Sequence, residues 1–305
     1  MLRRLVIAVA IAAVLGGGAF WVLTVAKTVP AAALGPHQAD LANGRTMFIA
    51  GGCSGCHAVP GAEDKTRLGG GLALKSPFGT FYVPNISSDR ADGIGAWSEA
   101  DFVTALTKGT SPDGRHYYPA FPYTSYQRMT LDDARDLFAY LKTLPAVSGK
   151  VRDHDMPFPF NVRRGLGLWK LVYLDGRPFR PDATKSAMLN RGAYLVEGSG
   201  HCAECHSPRD RFGGIIAAQR FAGGPNPEGK GWIPNITQKD LGDWSDKDIA
   251  YLLETGLTPD GDSVGSSMAE VVRHTAQLST DDRAAIAAYI KALPPVEGPK
   301  PQKKK

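Results

Sequence analysis

The chain has 305 residues, 43% apolar and 21% charged, an ordinary globular balance with length enough for two domains. Its formal charge of +5 is carried by the ends: Arg3, Arg4 and Lys27 at one, Lys300, Lys303, Lys304 and Lys305 at the other. The remaining 28 basic and 30 acidic residues leave a body near −2, which argues against nucleic acid as a partner.

Arg3 and Arg4 precede an uncharged run of 22 residues, Leu5 to Ala26. A secretory signal usually has an apolar stretch of about 7–15 residues, whereas about 20 span a bilayer. Residues 1–27 are therefore expected to be a retained membrane anchor. The alternative is a cleaved signal, because Gly16–Gly18 weaken a helix and Thr24–Val25–Ala26 resembles a cleavage site. The arginines stay inside, so both readings export the body to the periplasm.

An internal repeat organises the rest. NGRTMFIAGGCSGCH is matched by NRGAYLVEGSGHCAECH; VPNIS, GAWS, SPDG and LKTLPAV are matched by IPNIT, GDWS, TPDG and IKALPPV. The offset is 149 at the cysteines and again between Leu144 and Leu293, with a slip of one or two residues between. Two long copies mean a duplicated domain rather than a solenoid. The expected units are residues 37–148 and 182–297, with a tail over 298–305 that is basic and disordered. Residues 149–181 link them, and HDMPFPFNVRRGLGLWKLVY is too aromatic for a flexible linker, so it should pack against one or both units.

Each unit reads as helical. Short helices are expected over about 38–50 and 187–197, before each cysteine pair. Ala134, Leu137, Phe138 and Leu141 have helical spacing behind Thr130 and Asp133; Ile286, Tyr289, Ile290 and Leu293 repeat it behind Ser279 and Asp282. Pro145 and Pro294 stop these closing helices. Gly44 and Gly192 either let Tyr140 and Tyr289 of the closing helix approach closely or mark frayed helices. A small unit of helix and loop needs something else to fill its centre.

The chain contains four cysteines only, as Cys53-Ser-Gly-Cys56-His57 and Cys202-Ala-Glu-Cys205-His206. C-x-x-C-H is the covalent attachment motif of c-type haem. Residues i and i+3 share a helix face, so two thiols reach one porphyrin edge, and the next imidazole reaches the iron. The unbound ring nitrogen should donate to a carbonyl. A shared tetrahedral zinc is disfavoured by the 149-residue separation, and a redox dithiol by the lack of a βαβ context. Two haem c groups are expected, with Cys53, Cys56, Cys202 and Cys205 as anchors and His57 and His206 as iron ligands. His201 has Gly52 as its counterpart, so it reads as a local polar contact, with a propionate or interface role as the alternative.

On the far side of each iron the candidates are Met268 and Met129, each the lone Met between its cysteines and its closing helix. The shared PDG places Phe121, not Met129, opposite Met268, which leaves His116, Tyr117, His154 and Met156 as alternatives for the first haem. Asn85 and Asn235 read as propionate, loop-backbone or turn residues. Trp97 and Trp244 read as propionate donors or core, and Arg163 and Arg164 as propionate partners or surface charges. His37 and His274 read as surface histidines.

With RGAYLVEGSGHCAECHSPRD, PNIT, GDWSDKDIAYLLETG and YYPAFPYTSYQRMT, the chain resembles the dihaem members of the cytochrome c family over residues 38–297. It looks most like the cytochrome c subunits of membrane-associated alcohol, aldehyde and gluconate dehydrogenases. Such subunits commonly carry three haems, against two motifs in this chain, and the family pattern sometimes has Met where Phe121 stands. The resemblance implies an all-α protein of two tandem cytochrome c-like domains. It also implies an electron carrier from a dehydrogenase to a soluble cytochrome, an oxidase or quinone, and not an enzyme. The competing expectation is a dihaem redox enzyme of the peroxidase or thiosulfate dehydrogenase type.

Overall fold

The computed structural model describes residues 1–227, 229 and 231–301. Helix α1, Leu2–Leu23, has a mean hydropathy of 2.4 over its apolar window and buries none of its residues, meeting the body only at its C-terminal end. It runs unbroken through Gly16–Gly18, and nothing lies within 4 Å of where their side chains would start.

The first repeat unit follows. Helix α2 is Leu41–Ala50; it starts three residues later than expected because Asp40 caps it, accepting from the Ala42 and Asn43 N–H groups. The short α3, Cys53–His57, holds the first cysteine pair. Strands β1, Ala73–Ser76, and β2, Gly79–Tyr82, form an antiparallel hairpin with Ala73 opposite Tyr82. Then come α4, Glu99–Lys108, α5, Tyr123–Tyr126, and α6, Leu131–Thr143.

The link contains α7, Leu166–Tyr173, and the second unit repeats the plan. Helix α8 is Ala187–Glu197 and α9, Ala203–His206, holds the second cysteine pair. A two-residue hairpin, β3 Gly224–Pro225 and β4 Trp232–Ile233, precedes α10, Asp246–Thr255, α11, Ser266–Thr275, and α12, Thr280–Lys291.

Periodicity over the closing helices had not separated out α4 and α10, although their ends are written in the chain. Ser98 with Asp101 and Ser245 with Asp248 form capping boxes, and Gly109 and Gly256 end the helices at φ +59° and +78°. In each unit the opening and closing helices cross at a glycine. A Cβ on Gly44 would meet the Asp136 carbonyl and lie 2.8 Å from Tyr140 Cβ; one on Gly192 would meet the Ala285 carbonyl and lie 2.9 Å from Tyr289 Cβ. The helices approach closely because no side chain separates them. Met47, Phe48, Leu137, Phe138, Leu195 and Ile286 belong to one buried apolar cluster that runs through both units.

The link packs on both. Asp155 pairs with Thr80, Tyr118 OH donates to the Phe160 carbonyl at 2.8 Å, and the Phe179 N–H donates to the Arg128 carbonyl at 3.0 Å. Trp169 Nε1 donates to the Phe212 carbonyl at 3.0 Å and Tyr173 OH to Asp210 at 2.5 Å. Of the two histidines expected at the surface, His274 lies inside and His37 is partly buried. His274 is 6% exposed, and the His37 side chain is 13% exposed with Nε2 2.6 Å from Asp136 Oδ1. His274 sits where α11 meets α3, and His37 where the segment before α2 meets α6, contacts that local sequence does not reveal. Residues 302–305 of the expected disordered tail lie outside the described residues, while Gly298 abuts the Ala222 backbone.

Candidate haem-attachment sites

Both cysteine pairs lie on a single helical turn after a glycine-rich corner. Gly52 enters α3 at φ +57°, and its counterpart His201 takes φ +40°. Cys53 and Cys202 are partly buried against the apolar cluster, and burial pushes each thiol up to about 12. Cys56 and Cys205 face outward, and no disulfide joins any of the four.

The two histidines are held alike. His57 Nδ1 lies 2.9 Å from the Pro84 carbonyl, and His206 Nδ1 lies 2.8 Å from the Pro234 carbonyl. A carbonyl only accepts, so Nδ1 carries the proton and Nε2 keeps its lone pair for a metal. Burial lowers the His57 pKa to about 4, against the raising effect of the Pro84 bond, and lowers that of His206 for the same reasons. The imidazoles are therefore neutral, the form a metal takes. The carbonyls are positioned by the PN turns: Asn85 Nδ2 donates to the Val147 carbonyl at 2.7 Å, and Asn235 Nδ2 to the Val296 carbonyl at 2.8 Å. Each asparagine also accepts from a backbone N–H two residues on, Ser87 at 2.9 Å and Thr237 at 2.8 Å. Of the roles considered for these asparagines, the loop-backbone one is what the geometry displays.

Of the methionines, Met129 is 2% exposed just before α6, and Leu278, at the same 149 offset, is 5% exposed before α12. Met268 lies in the first turn of α11, partly buried against the cluster, as is Phe121. His116 is spoken for on both ring nitrogens, Nε2 by the Thr24 carbonyl at 2.9 Å and Nδ1 by Lys170 Nζ at 3.0 Å. His154 accepts from the Tyr82 N–H and lies edge-on to Phe81 and Tyr118. Burial pushes Tyr117 up to about 12. Arg163 lies over the Tyr118 ring and donates to the His116 carbonyl; Arg164 engages Trp21 and Thr24. Trp97 and Trp244 pack against the apolar cluster.

The attachment turns face each other across the units. His201 Nε2 lies 3.2 Å from the Gly51 carbonyl, and its ring meets Tyr126 edge-on, which makes it an interface residue. Ser54 of α3 is 2.7 Å from His274 Nε2 of α11. Reciprocally, Glu204 of α9 accepts from Thr124 Oγ1 at 2.7 Å and Ser125 Oγ at 3.0 Å, on α5. Arg209 closes that site with Nη2 2.7 Å from Glu204 Oε2. Burial works to raise the Glu204 carboxyl, but Arg209 and the two hydroxyls outweigh it and hold it below its ordinary value. The sequence hid these cross-unit bonds because they join residues 79 to 220 positions apart.

A family model for cytochrome c matches residues 41–145 and 189–294. This chain belongs to the cytochrome c family. It is similar to a diheme cytochrome c-type protein of Cereibacter sphaeroides, 47% identical over 97% of this chain and 100% of that one. It is also similar to the fructose dehydrogenase cytochrome subunit of Gluconobacter japonicus, 36% identical over 85% of this chain and 53% of that one. The gluconate 2-dehydrogenase cytochrome c subunit of Pantoea cypripedii is 36% identical over 87% of this chain and 63% of its own length. This cytochrome thus spans only about half to two thirds of those dehydrogenase subunits. Two tandem domains, each with a C-x-x-C-H turn, carry two covalently bound haem c groups, and electron transfer is the chemistry they serve.

Proposed function

We propose that this dihaem cytochrome receives electrons from a dehydrogenase in the periplasm and passes them to the respiratory chain, held at the inner membrane by α1. The dehydrogenase cytochrome subunits among its relatives support the donor class, with a soluble cytochrome, an oxidase or quinone as acceptor. The apolar α1 supports the location. Cys53, Cys56, Cys202 and Cys205 anchor the haems, and His57 and His206 ligate them. Met268 and Met129 complete the two iron sites.

The observation that carries this reading is the matched bond from each histidine Nδ1 to a proline carbonyl, 2.9 and 2.8 Å. Bound haem supplies one-electron chemistry at its iron. The chain supplies everything around it. The four cysteines would hold the groups as thioethers, and a carbonyl fixes the tautomer of each imidazole that would ligate them.

The test is a redox titration of the purified holoprotein with low-temperature near-infrared spectroscopy, alongside Met129→Leu and Met268→Leu. Each variant is expected to lose one of two methionine–iron charge-transfer bands and to lower the potential of its own haem. Bands that survive in both variants overturn the ligand assignment. Peroxide turnover at enzyme-like rates overturns the carrier reading.

A further inference from the structure

We propose that the outer face of α7, with the aromatic segment before it, is a second membrane contact that lies in the interfacial layer of the bilayer holding α1. This rests on the reading of α1 as a retained anchor. Among the described residues beyond Val25, thirteen large hydrophobics are exposed, and six of them fall within the fifteen residues 158–172. They are Phe158 at 80%, Phe160 at 42%, Val162 at 49%, Leu168 at 42%, Leu171 at 52% and Val172 at 74%. A soluble surface seldom concentrates apolar side chains in this way.

The pattern on α7 is one-sided. Leu168, Leu171 and Val172 stand at i, i+3 and i+4 and share a face, while Gly167 and Lys170 are buried on the other. The buried side is fastened: Lys170 Nζ donates to the Lys108 carbonyl at 2.8 Å and the Gly109 carbonyl at 2.6 Å. The helix therefore cannot roll its apolar face inward.

The bilayer, rather than any other occupant, follows from what α7 touches. Arg164 Nη2 donates to the Trp21 carbonyl at 2.8 Å, its Nε to Thr24 Oγ1 at 3.0 Å, and its guanidinium lies 3.6 Å from the centre of the Trp21 ring. A Cβ on Gly167 would lie 2.6 Å from Thr24 Cα, so α7 meets the end of α1 backbone to backbone. Helix α1 has 22 residues, and at a rise of ~1.5 Å each these span about the thickness of the hydrocarbon core. Its last turn, with Trp21, then stands at the outer headgroup level, where tryptophan is favoured. Whatever is fastened to Trp21 and Thr24 stands at the same level. Next to Trp169, exposed Phe212 and Arg211 extend the surface with the aromatic and basic pair that lipid headgroups favour.

The four native cysteines carry the haems, so Val172→Cys introduces the sole thiol open to a nitroxide label. The labelled full-length holoprotein is placed in nanodiscs of phosphatidylethanolamine and phosphatidylglycerol. Collision with oxygen and with a water-soluble nickel chelate is then read by electron paramagnetic resonance. A label at Tyr251→Cys, on an exposed position of α10, serves as the aqueous control. The label at 172 is expected to gain oxygen collisions and lose nickel collisions relative to the one at 251. If both labels read as aqueous while the protein resists a salt wash from the disc, the anchor stands and the second contact is overturned. If the label at 172 becomes shielded only on addition of the dehydrogenase, the face belongs to a protein and the proposal is again overturned. A chain that leaves the disc and by intact mass lacks residues 1–27 overturns the anchor and the contact together.

Discussion

The two units fold around the same helix crossing and fasten it differently. Gly44 and Gly192 sit at the crossing in identical roles, each pressed on the backbone of its closing helix. In the first unit the fastener is Asp136 of α6. It accepts from Asn43 Nδ2 at 2.8 Å and the Asp40 N–H at 2.9 Å and lies 2.6 Å from His37 Nε2. Asp133 of α6 also accepts from Asn43 Nδ2, at 2.6 Å; in the second unit its counterpart Asp282 keeps such a role, while Ala285 replaces Asp136. There Arg191 pairs with Asp282, and Tyr289 OH donates to Glu197 at 2.8 Å, with Arg220 on the same carboxylate. The contrast separates what geometry requires from what is exchangeable. Only glycine allows the backbones so close, whereas several polar sets will hold them there.

The largest test of that separation is Gly192→Ala. The added Cβ has to displace Tyr289 or the Ala285 carbonyl, a cost of about 3 kcal/mol by analogy with overpacked cores. Gly44→Ala should cost a similar amount, read in each case by denaturant unfolding of the holoprotein. Equal tolerance of alanine at both sites would break the geometric half of the comparison.

Asp136→Asn should have a smaller effect and one confined to the first unit. It removes the charge from bonds worth about 2 kcal/mol in total. Burial works to raise the Asp136 carboxyl, but the bonds from Asn43, Asp40 N–H and His37 outweigh it and hold the pKa below the ordinary 3.8. A carboxyl depressed in the folded state stabilises fully above its unfolded value, and that stability is lost as pH falls through the folded value. The difference between wild type and Asp136→Asn should therefore be present at pH 7 and fade as pH falls past the ordinary 3.8 and through the lower folded value. Unfolding free energies measured across that range check it; a difference that grows on acidification contradicts the assigned role.

The smallest effect expected is that of Tyr289→Phe, which removes the hydroxyl bond to Glu197 at a cost of about 1 kcal/mol. Thermal unfolding should show it as a shift of a few degrees or less. A loss as large as that of Gly192→Ala would mean that the polar fastening in the second unit is not exchangeable.

What the sequence revealed follows from how local each signal is. Cys53 to His57 lie on one turn, so that local geometry was legible without a fold, and so were the caps at Thr130 and Ser279. The crossings at Gly44 and Gly192 were legible as a choice between close approach and fraying, because the repeat placed a tyrosine against each glycine. His274 was misread since its burial depends on a partner 220 residues away, and His37 is partly covered by one 99 residues away. Lys170 gave no sign of burial, since three acceptors from elsewhere, among them the His116 ring, receive it.

The reciprocal seam between the units has a consequence for assembly. Gly51 and Gly200 occupy the same repeat position, and Gly51 meets Ser199 and His201, so the contact is nearly a patch meeting itself. Around it α11 covers α3, and α5 covers α9. This is the geometry of an isologous dimer written into a single polypeptide. Such an interface uses up both copies of the patch and closes. A third unit of the same design finds no free copy to join, so any larger assembly has to be built through a different surface.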